Sequence, residues 1–210
     1  MVIFILTRES PLPKTIKYDV PTWEDIYEFL IELAERIGQS GFKPDIIVGV
    51  ARGGWPPARI LSDFLQNPNL ANIKAEFYVD IYKTTEEPRI TQPISASVKG
   101  KNVLVADDVA DSGKSLELIR KHLLEEGASN VRICTIYYKP WSIVIPDYYA
   151  KKTDAWVVFP WERKEASAKI GQKLKNEGKS LKEIENTLVK IGIKRQHVRH
   201  FIKDIFRERK

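Results

Sequence analysis

The segment VLVADDVADSGKSL, residues 103–116, constrains the chain more than any other stretch. Its first half lies within NVLVADD (102–108), an apolar run of strand length that ends in two adjacent carboxylates. Such a run suits a strand buried on both faces of a parallel sheet. Its second half, Asp111-Ser112-Gly113-Lys114-Ser115, is a polar turn that opens a helix predicted over 114–126. Open α/β sheets bind ligands at the carboxyl ends of their strands, which is where Asp107 and Asp108 fall. The plainer alternative is a strand–turn–helix with capping acids. It leaves two acids at the end of a buried strand, which is costly without a partner for them.

The turn has its own chemistry. Backbone N–H groups at a helix N-terminus point outward, and the helix dipole favours an anion there. Gly113 lets a phosphate approach the backbone closely, and Ser112 and Ser115 add hydroxyl donors. The acids at the other end suit hydroxyl groups or a hydrated divalent cation. A ligand with a phosphate at one end and a diol in its middle satisfies both, which describes a phosphorylated ribose. The segment is not a Walker A loop, because Asp108 stands five residues before Gly113, where that motif needs glycine.

The rest of the chain fits a matching architecture. Trp23, Ile26, Phe29, Leu30, Leu33 and Ile37 recur at helical spacing, with Thr22 as N-cap and Gly38 as the expected stop. Residues 45–50 (DIIVGV) read as a buried strand that runs into the loop ARGGWPP and a helix over 58–65. Residues 2–6 and 73–81 are strand-like, with a break over 10–13. The polar, proline-broken stretch 83–93 reads as a mobile loop or a ragged hairpin. Further strands are expected over 131–138 and 156–159. Alternation of strand and helix predicts an α/β fold with a parallel sheet. Three short helices follow, over 164–177, 180–191 and 195–207, punctuated by Gly178 and Gly192. The expected organisation is a core over 1–162 and a helical extension over 163–210.

Composition excludes several classes. No apolar run approaches the ~20 residues of a membrane span, and the opening MVIFILTRE lacks the basic segment of a secretory leader. A single cysteine, Cys134, excludes an internal disulfide and a Cys-rich zinc site, and points to the cytoplasm. Cys134 lies in an apolar strand and reads as core. His122, His197 and His200 fall in predicted helices with no partners at metal spacing. The net charge of +6 is uneven: residues 163–210 hold 15 basic and 6 acidic side chains, against 19 and 22 in residues 1–162. That asymmetry suits either a solvated helical tail or contact with nucleic acid or acidic ligands.

Residues 103–116 resemble the phosphoribosyl-pyrophosphate motif of the type I phosphoribosyltransferases: apolar residues, two acids, two apolar residues, then an acid before a small-hydroxyl/Gly/Lys/hydroxyl turn. GVARGG (49–54) resembles the pyrophosphate loop of the purine enzymes. YYKPW (137–141) and DAWVVFPWE (154–162) resemble base-recognition segments of bacterial xanthine-guanine and archaeal purine phosphoribosyltransferases. The resemblance covers about residues 15–162 and implies a type I core with a small base-binding hood, extended here by the helical tail.

The resemblance implies roles residue by residue. Asp107 and Asp108 would hold the ribose hydroxyls, directly or through magnesium-bound water. Asp111 would face N7 of the purine and manage its proton. Ala110 leads into the turn Asp111, Ser112, Gly113, Lys114 and Ser115, which would wrap the 5′-phosphate. Ala51 and Arg52 would be joined by a cis peptide, and Arg52 and Gly53 would meet the pyrophosphate, with Arg52 catalytic beside Asp111. Tyr82 and Lys83 would open a flexible loop over the reacting centre. Lys139 would reach the group at C6 of the base, Trp156 would stack on the ring, and Val157 would offer backbone contacts. Glu162 would join Asp107 and Asp108 as a magnesium-site residue by helping to place a second ion. The partners implied are phosphoribosyl pyrophosphate and a purine, with Mg2+ as cofactor, no membrane, and a homodimer or tetramer.

Lysine is a hydrogen-bond donor only, so Lys139 favours a 6-oxopurine over adenine. Adenine on the same scaffold is the first alternative. The second is regulatory: some proteins with this fold sense phosphoribosyl pyrophosphate and bind nucleic acid, and the basic tail loosely resembles a helix-turn-helix. The tail's apolar spacing (Leu181, Ile184, Leu188, Ile191, Ile193, Val198, Ile202, Ile205) favours packing onto the domain or a dimer partner instead.

Overall fold

The computed structural model describes residues 16–78 and 87–204; the stretches expected as a strand over 2–6 and a break over 10–13 lie outside them. In chain order the strands are β1 (Tyr18–Asp19), β2 (Ile46–Val50), β3 (Leu70–Tyr78), β4 (Glu87–Gln92), β5 (Asn102–Ala110), β6 (Asn130–Tyr138), β7 (Tyr148–Lys152) and β8 (Trp156–Val157). The helices are α1 (Trp23–Gln39), α2 (Trp55–Phe64), α3 (Lys114–Glu125), α4 (Arg163–Asn176), α5 (Leu181–Ile191) and α6 (Arg195–Phe201), the last followed by a 3-10 turn, Ile202–Asp204. The chain forms two compact units. One is Thr22–Asp154; the other joins residues up to Pro21 with those from Ala155 onward.

The larger unit is built on a six-stranded sheet in the order β4-β3-β2-β5-β6-β7. All neighbours run parallel except β4, which pairs antiparallel with β3. β5 is central, with Val105 opposite Val48 of β2 on one side and Ile133 of β6 on the other. Its residues Val103 to Ala106 are fully buried, as a two-faced strand requires. On one face, Leu116, Ile119 and Leu123 of α3 pack with Ile46, Val48, Val50, Val103 and Val105. Strand alternation turns Ile47 and Leu104 to the opposite face. There lie α2, against β2 and β5, and α1, which packs on α2, β6 and β7. Right-handed crossovers demand this division, because β2–α2–β3 and β5–α3–β6 move in opposite directions across the sheet.

Local chemistry sets the element ends. The Asp25 N–H donates to Thr22 Oγ1 at 3.1 Å and the Thr22 N–H to Asp25 Oδ2 at 2.7 Å, a reciprocal cap on α1. Ile26, Leu30, Leu33 and Ile37 bury one face completely, each worth about 1.5–3 kcal/mol. The helix runs through Gly38, the expected stop, to Gln39. An interior glycine costs only about 1 kcal/mol relative to alanine, less than the burial of Ile37 returns.

Other element bounds depart from the expectation. α2 begins at Trp55 rather than at residue 58, since proline is accommodated in a first helical turn. β3 starts at Leu70, and β4 occupies much of the 83–93 stretch, paired from Lys74↔Gln92 to Tyr78↔Glu87, so the hairpin alternative describes these residues. An edge strand tolerates Pro88. β1 and β7 were not anticipated. β7 reads YYAKK, and two lysines in five residues suit an exposed edge rather than an apolar strand pattern.

In the smaller unit β1 pairs parallel with β8, Tyr18 opposite Trp156 and Asp19 opposite Val157. The expected strand over 156–159 is thus shorter, although Val158 and Phe159 are buried. The tail's apolar residues close a core here: Ile184, Leu188, Ile193, Val198 and Ile202 gather with Val158, Ala166 and Ile170, and Tyr18 and Val20 pack against them. Leu181 is exposed, and Ile205 lies outside the described residues. Glu185 of α5 accepts Arg195 Nη1 at 2.6 Å and Arg199 Nε at 2.9 Å, tying α6 to α5. No described helix is long and apolar enough to cross a membrane.

Ser180 and Glu183 form a reciprocal cap on α5: the Ser180 N–H donates to Glu183 Oε2 at 2.9 Å. The backbone and hydroxyl bonds from Ser180, then Lys179, lower the Glu183 pKa from 4.5 to about 2. A lowered folded-state value means stability that is present above the unfolded value and is lost as pH falls through the folded one. Wild type should therefore melt above Glu183→Gln at neutral pH. The gap should close as pH falls from 4.5 towards 2, read by circular dichroism melts of both proteins.

Candidate active site

The strand that carries the acids ends at the sheet's carboxyl edge. Asp107 is half-buried, and its Oδ1 accepts the Asp108 N–H at 3.0 Å. Burial, and then the neighbouring Asp108 charge, hold the Asp107 carboxyl well above the usual carboxylate range. A ligand that brings hydroxyl donors or a cation to this point offsets that cost.

The loop after β2 meets the same strand. The Ala51–Arg52 peptide is cis, as the resemblance implies, and Arg52 is exposed while Ala51 is half-buried. Gly53 lies so close to Asp108 that a Cβ there would overlap Oδ2 and come 2.5 Å from Cγ. Gly54 touches backbone instead: its Cβ would overlap the Ala106 carbonyl oxygen and come 2.6 Å from the Val50 nitrogen. One glycine makes room for a carboxylate, and the next lets α2 start against the sheet.

The turn after β5 is fixed by Gly113, whose φ of 79° is a left-handed conformation open to glycine at little cost. It serves as N-cap of α3, so the first amides of that helix open onto the turn. Asp107, Asp111, Ser112, Gly113, Ser115 and Phe77 line a cavity of about 180 Å³ there. That is below the ~300–1,000 Å³ usual for drug-sized ligands and suits a phosphate and sugar. Lys114 is exposed and Ala110 is buried.

The loop after β6 closes onto this turn. Lys139 is buried, 6% exposed, and its N–H donates to the Ala110 carbonyl at 3.0 Å. The Ile143 N–H donates to the Ser112 carbonyl at 3.0 Å. A Cβ on Gly113 would stand 2.5 Å from Ser142 Oγ and 2.7 Å from the Val144 nitrogen. Trp141 Nε1 donates to Asp111 Oδ1 at 2.9 Å. Cys134, inside β6, is buried, and burial and then Asp147 push its thiol up, away from nucleophilic use.

The larger unit therefore brings together Asp107, Asp108, Asp111, the 112–115 turn, Gly53 and Lys139. Trp156, Val157 and Glu162 belong to the smaller unit. There Trp156 is 40% exposed and stacks on Tyr18, ring centres 5.9 Å apart. Val157 is buried, and Glu162 Oε1 accepts the Phe159 N–H at 3.3 Å. Tyr82 and Lys83 lie outside the described residues. Sequence reading passed over Phe77, Ser142 and the side chain of Trp141 as site residues; an indole donor two residues after Lys139 was the available signal for the last.

The donor set fits magnesium. Among the described residues no group of three or more His, Cys, Asp or Glu converges as a self-sufficient metal cage. Magnesium is commonly held by one or two carboxylates together with substrate phosphates and water, and Asp107 and Asp108 beside an anion-binding turn offer that arrangement.

The chain matches the phosphoribosyl transferase domain over residues 22–167, which includes every site residue named above. It belongs to the phosphoribosyltransferase family. It is 30% identical over 152 residues to the xanthine-guanine phosphoribosyltransferase of Gluconobacter oxydans, covering 71% of this chain and 88% of that relative. It is 29% identical over 150 residues to the hypoxanthine-guanine phosphoribosyltransferase of Lactococcus lactis, covering 67% and 79%. Among solved structures, a purine phosphoribosyltransferase from Pyrococcus horikoshii is 40% identical, with a TM-score of 0.63 over 70% of this chain and 94% of that one. Most of α4 and all of α5 and α6 lie beyond the phosphoribosyltransferase match.

The two loop glycines should separate function from folding. In Gly53→Ala the obstacle is a carboxylate that can rotate, so the melting temperature should change little while kcat/KM falls at least about tenfold, the scale of a small misplacement of site groups. In Gly54→Ala the obstacle is backbone, and about 1–3 kcal/mol or more of stability should be lost to overpacking. Thermal melts and steady-state kinetics on both variants check this.

Proposed function

We propose that the protein is a purine phosphoribosyltransferase that prefers 6-oxopurines. It transfers the 5-phosphoribosyl group from phosphoribosyl pyrophosphate to hypoxanthine, guanine or xanthine, giving a nucleoside 5′-monophosphate and pyrophosphate, a purine-salvage reaction. The observation that carries this reading is one convergence at the end of β5: paired carboxylates, the Gly113 turn, and the buried Lys139 bonded to Ala110. The cytoplasm and a homodimer or tetramer are the proposed setting and assembly.

In this mechanism a purine ring nitrogen forms a bond to C1 of the sugar, and the C1–O bond to pyrophosphate breaks with its electron pair leaving on pyrophosphate. Asp107 and Asp108 orient the ribose hydroxyls. The amides and hydroxyls of Ser112, Gly113, Lys114 and Ser115 hold the 5′-phosphate at the start of α3. Arg52 and the Gly53 amide meet the charge that develops on the leaving pyrophosphate. When bound at Asp107 and Asp108, with Glu162 as the further proposed contributor, magnesium supplies additional charge neutralisation there. Asp111 takes up the proton that the purine releases as it is alkylated. Trp156 and Val157 provide the stack and backbone contacts for the ring, and Tyr82 and Lys83 belong to the segment that excludes water.

Lys139 decides between bases. Its ammonium donates to a 6-oxo group, whereas the 6-amino group of adenine leaves a buried donor facing a donor, a cost of about 1–3 kcal/mol. The regulatory alternative asks the tail to present cations to nucleic acid, yet Arg195 and Arg199 are engaged by Glu185.

The test is turnover with phosphoribosyl pyrophosphate, magnesium and each of adenine, hypoxanthine, guanine and xanthine in turn, reading pyrophosphate and nucleotide. Turnover of a 6-oxopurine supports the proposal, turnover of adenine alone overturns the base choice, and no turnover with any base overturns the enzyme reading. In the last case salt-sensitive nucleic-acid binding becomes the measurement to make. Asp111→Asn should fold normally and lose about 10²–10⁴ in kcat, the usual weight of a positioned acid–base group.

A further inference from the structure

Trp141 occupies a place that burial does not explain. Its side chain is 55% exposed, so little apolar area holds it there. Two polar contacts fix it instead. Its Nε1–H donates to Asp111 Oδ1 at 2.9 Å. The Lys139 ammonium stands 5.6 Å from the centre of its ring, within cation–π range. One indole thus touches both side chains that the proposed function places against the base edge.

The backbone around it is stiff. Pro140 fixes φ between Lys139 and Trp141. The Ser142 N–H donates to the Lys139 carbonyl at 3.0 Å, and Ser142 Oγ to the Val144 carbonyl at 2.9 Å. The Ile143 N–H bonds the Ser112 carbonyl on the opposite side of Asp111 in sequence from Ala110, which receives the Lys139 N–H. Asp111 is therefore bracketed by two backbone bonds to the same loop. Its carboxylate is exposed and extends from a turn, a setting that leaves its torsion soft without a further tie. A charge-assisted bond to one oxygen sets that torsion and leaves the other oxygen to the ligand.

We infer that Trp141 is a positioning residue for the proposed transfer: its indole N–H aims the Asp111 carboxylate, and its ring seats the Lys139 ammonium beside it. This rests on the reading of the protein as a purine phosphoribosyltransferase. Trp141 need not touch the base for this role, which separates it from Trp156, the proposed stacking residue.

Trp141→Phe keeps an aromatic face under Lys139 and removes the donor. The expected result is a fall in kcat of about tenfold, a fraction of what a positioned acid–base group contributes, with KM for phosphoribosyl pyrophosphate and the melting temperature unchanged. In an Asp111→Ala background the same substitution should change the residual kcat by less than about twofold, since coupled residues are not additive. An unchanged kcat in Trp141→Phe overturns the inference. So does an equal tenfold loss in the Asp111→Ala background, or a rise in base KM at constant kcat, which would mark Trp141 as a base contact. These outcomes require a wild-type enzyme that turns over. A wild type inactive with every purine overturns the functional reading, and the role of Trp141 falls with it.

Discussion

A pair of carboxylates at the end of a buried central strand is the constraint around which the larger unit is arranged. β5 can be apolar on both faces because β2 and β6 flank it and helices cover the sheet on both sides. Its pairing with β2 ends at Ala106, and the strand continues along β6 alone through Asp107 and Asp108 to Ala110. The direction of the crossovers reverses at this strand: β2 leads to β3 on one side, β5 to β6 on the other. A parallel sheet opens a crevice at such a reversal, beyond the carboxyl ends of its strands. The close approach of Gly53 to Asp108 lies at this point. Placing the acids there is a consequence of strand order as much as of their own chemistry.

Parallel pairing has a second consequence. The loops after β2, β5 and β6 all emerge at one edge, so segments distant in sequence become neighbours. Gly53 meets Asp108 of β5, and Gly113 meets Ser142 and Val144 of the loop after β6, through contacts too short for any larger residue at either glycine. Such packing trades tolerance for geometry. Loops usually carry the freedom of a fold, and here two of them are tied to each other by backbone bonds to Ala110 and Ser112. The turn at 110–113 and the loop at 139–144 are thereby held to each other in one arrangement, the condition under which fixed dipoles and charges act most strongly.

Much of this was legible in the sequence because the relevant signals are local. An apolar run ending in Asp107-Asp108 and a turn with one glycine before a helix are strong patterns on their own. So are Ile26, Leu30, Leu33 and Ile37 at helical spacing. What escaped notice depends on distant partners. β7 is a strand because β6 offers an edge to Tyr148–Lys152, and its own composition argues against it. β1 is two residues long and exists through β8. β4 carries Pro88 and polar residues that read equally as loop. The bond from Trp141 to Asp111 spans 30 residues, and no periodicity announces it. The tail shows the opposite case. Its apolar stripe was readable, but whether it faced another copy, the domain or its own helices depended on where Tyr18, Val20 and Val158 came to lie.

The tail also bears on how the uneven charge should be understood. Residues 163–210 carry the whole positive excess, yet their helices are organised around apolar contacts and local ion pairs such as Lys169 with Glu165 and Lys179 with Glu183. These pairs are exposed and screened by solvent, so they stabilise little. The eight buried residues around Ile184 and Leu188 do more, since each fully buried aliphatic side chain contributes about 1.5–3 kcal/mol. The cations therefore cover a surface that the core has already defined. A net charge of this kind speaks to solubility and to the rate at which polyanions are met, and leaves the fold and the chemistry of the site to other residues. Under the proposed function, selectivity for a base would rest instead on a few desolvated groups. Lys139, 6% exposed just after β6, would discriminate through what it cannot accept, because an unmet buried donor costs more than a met one gains.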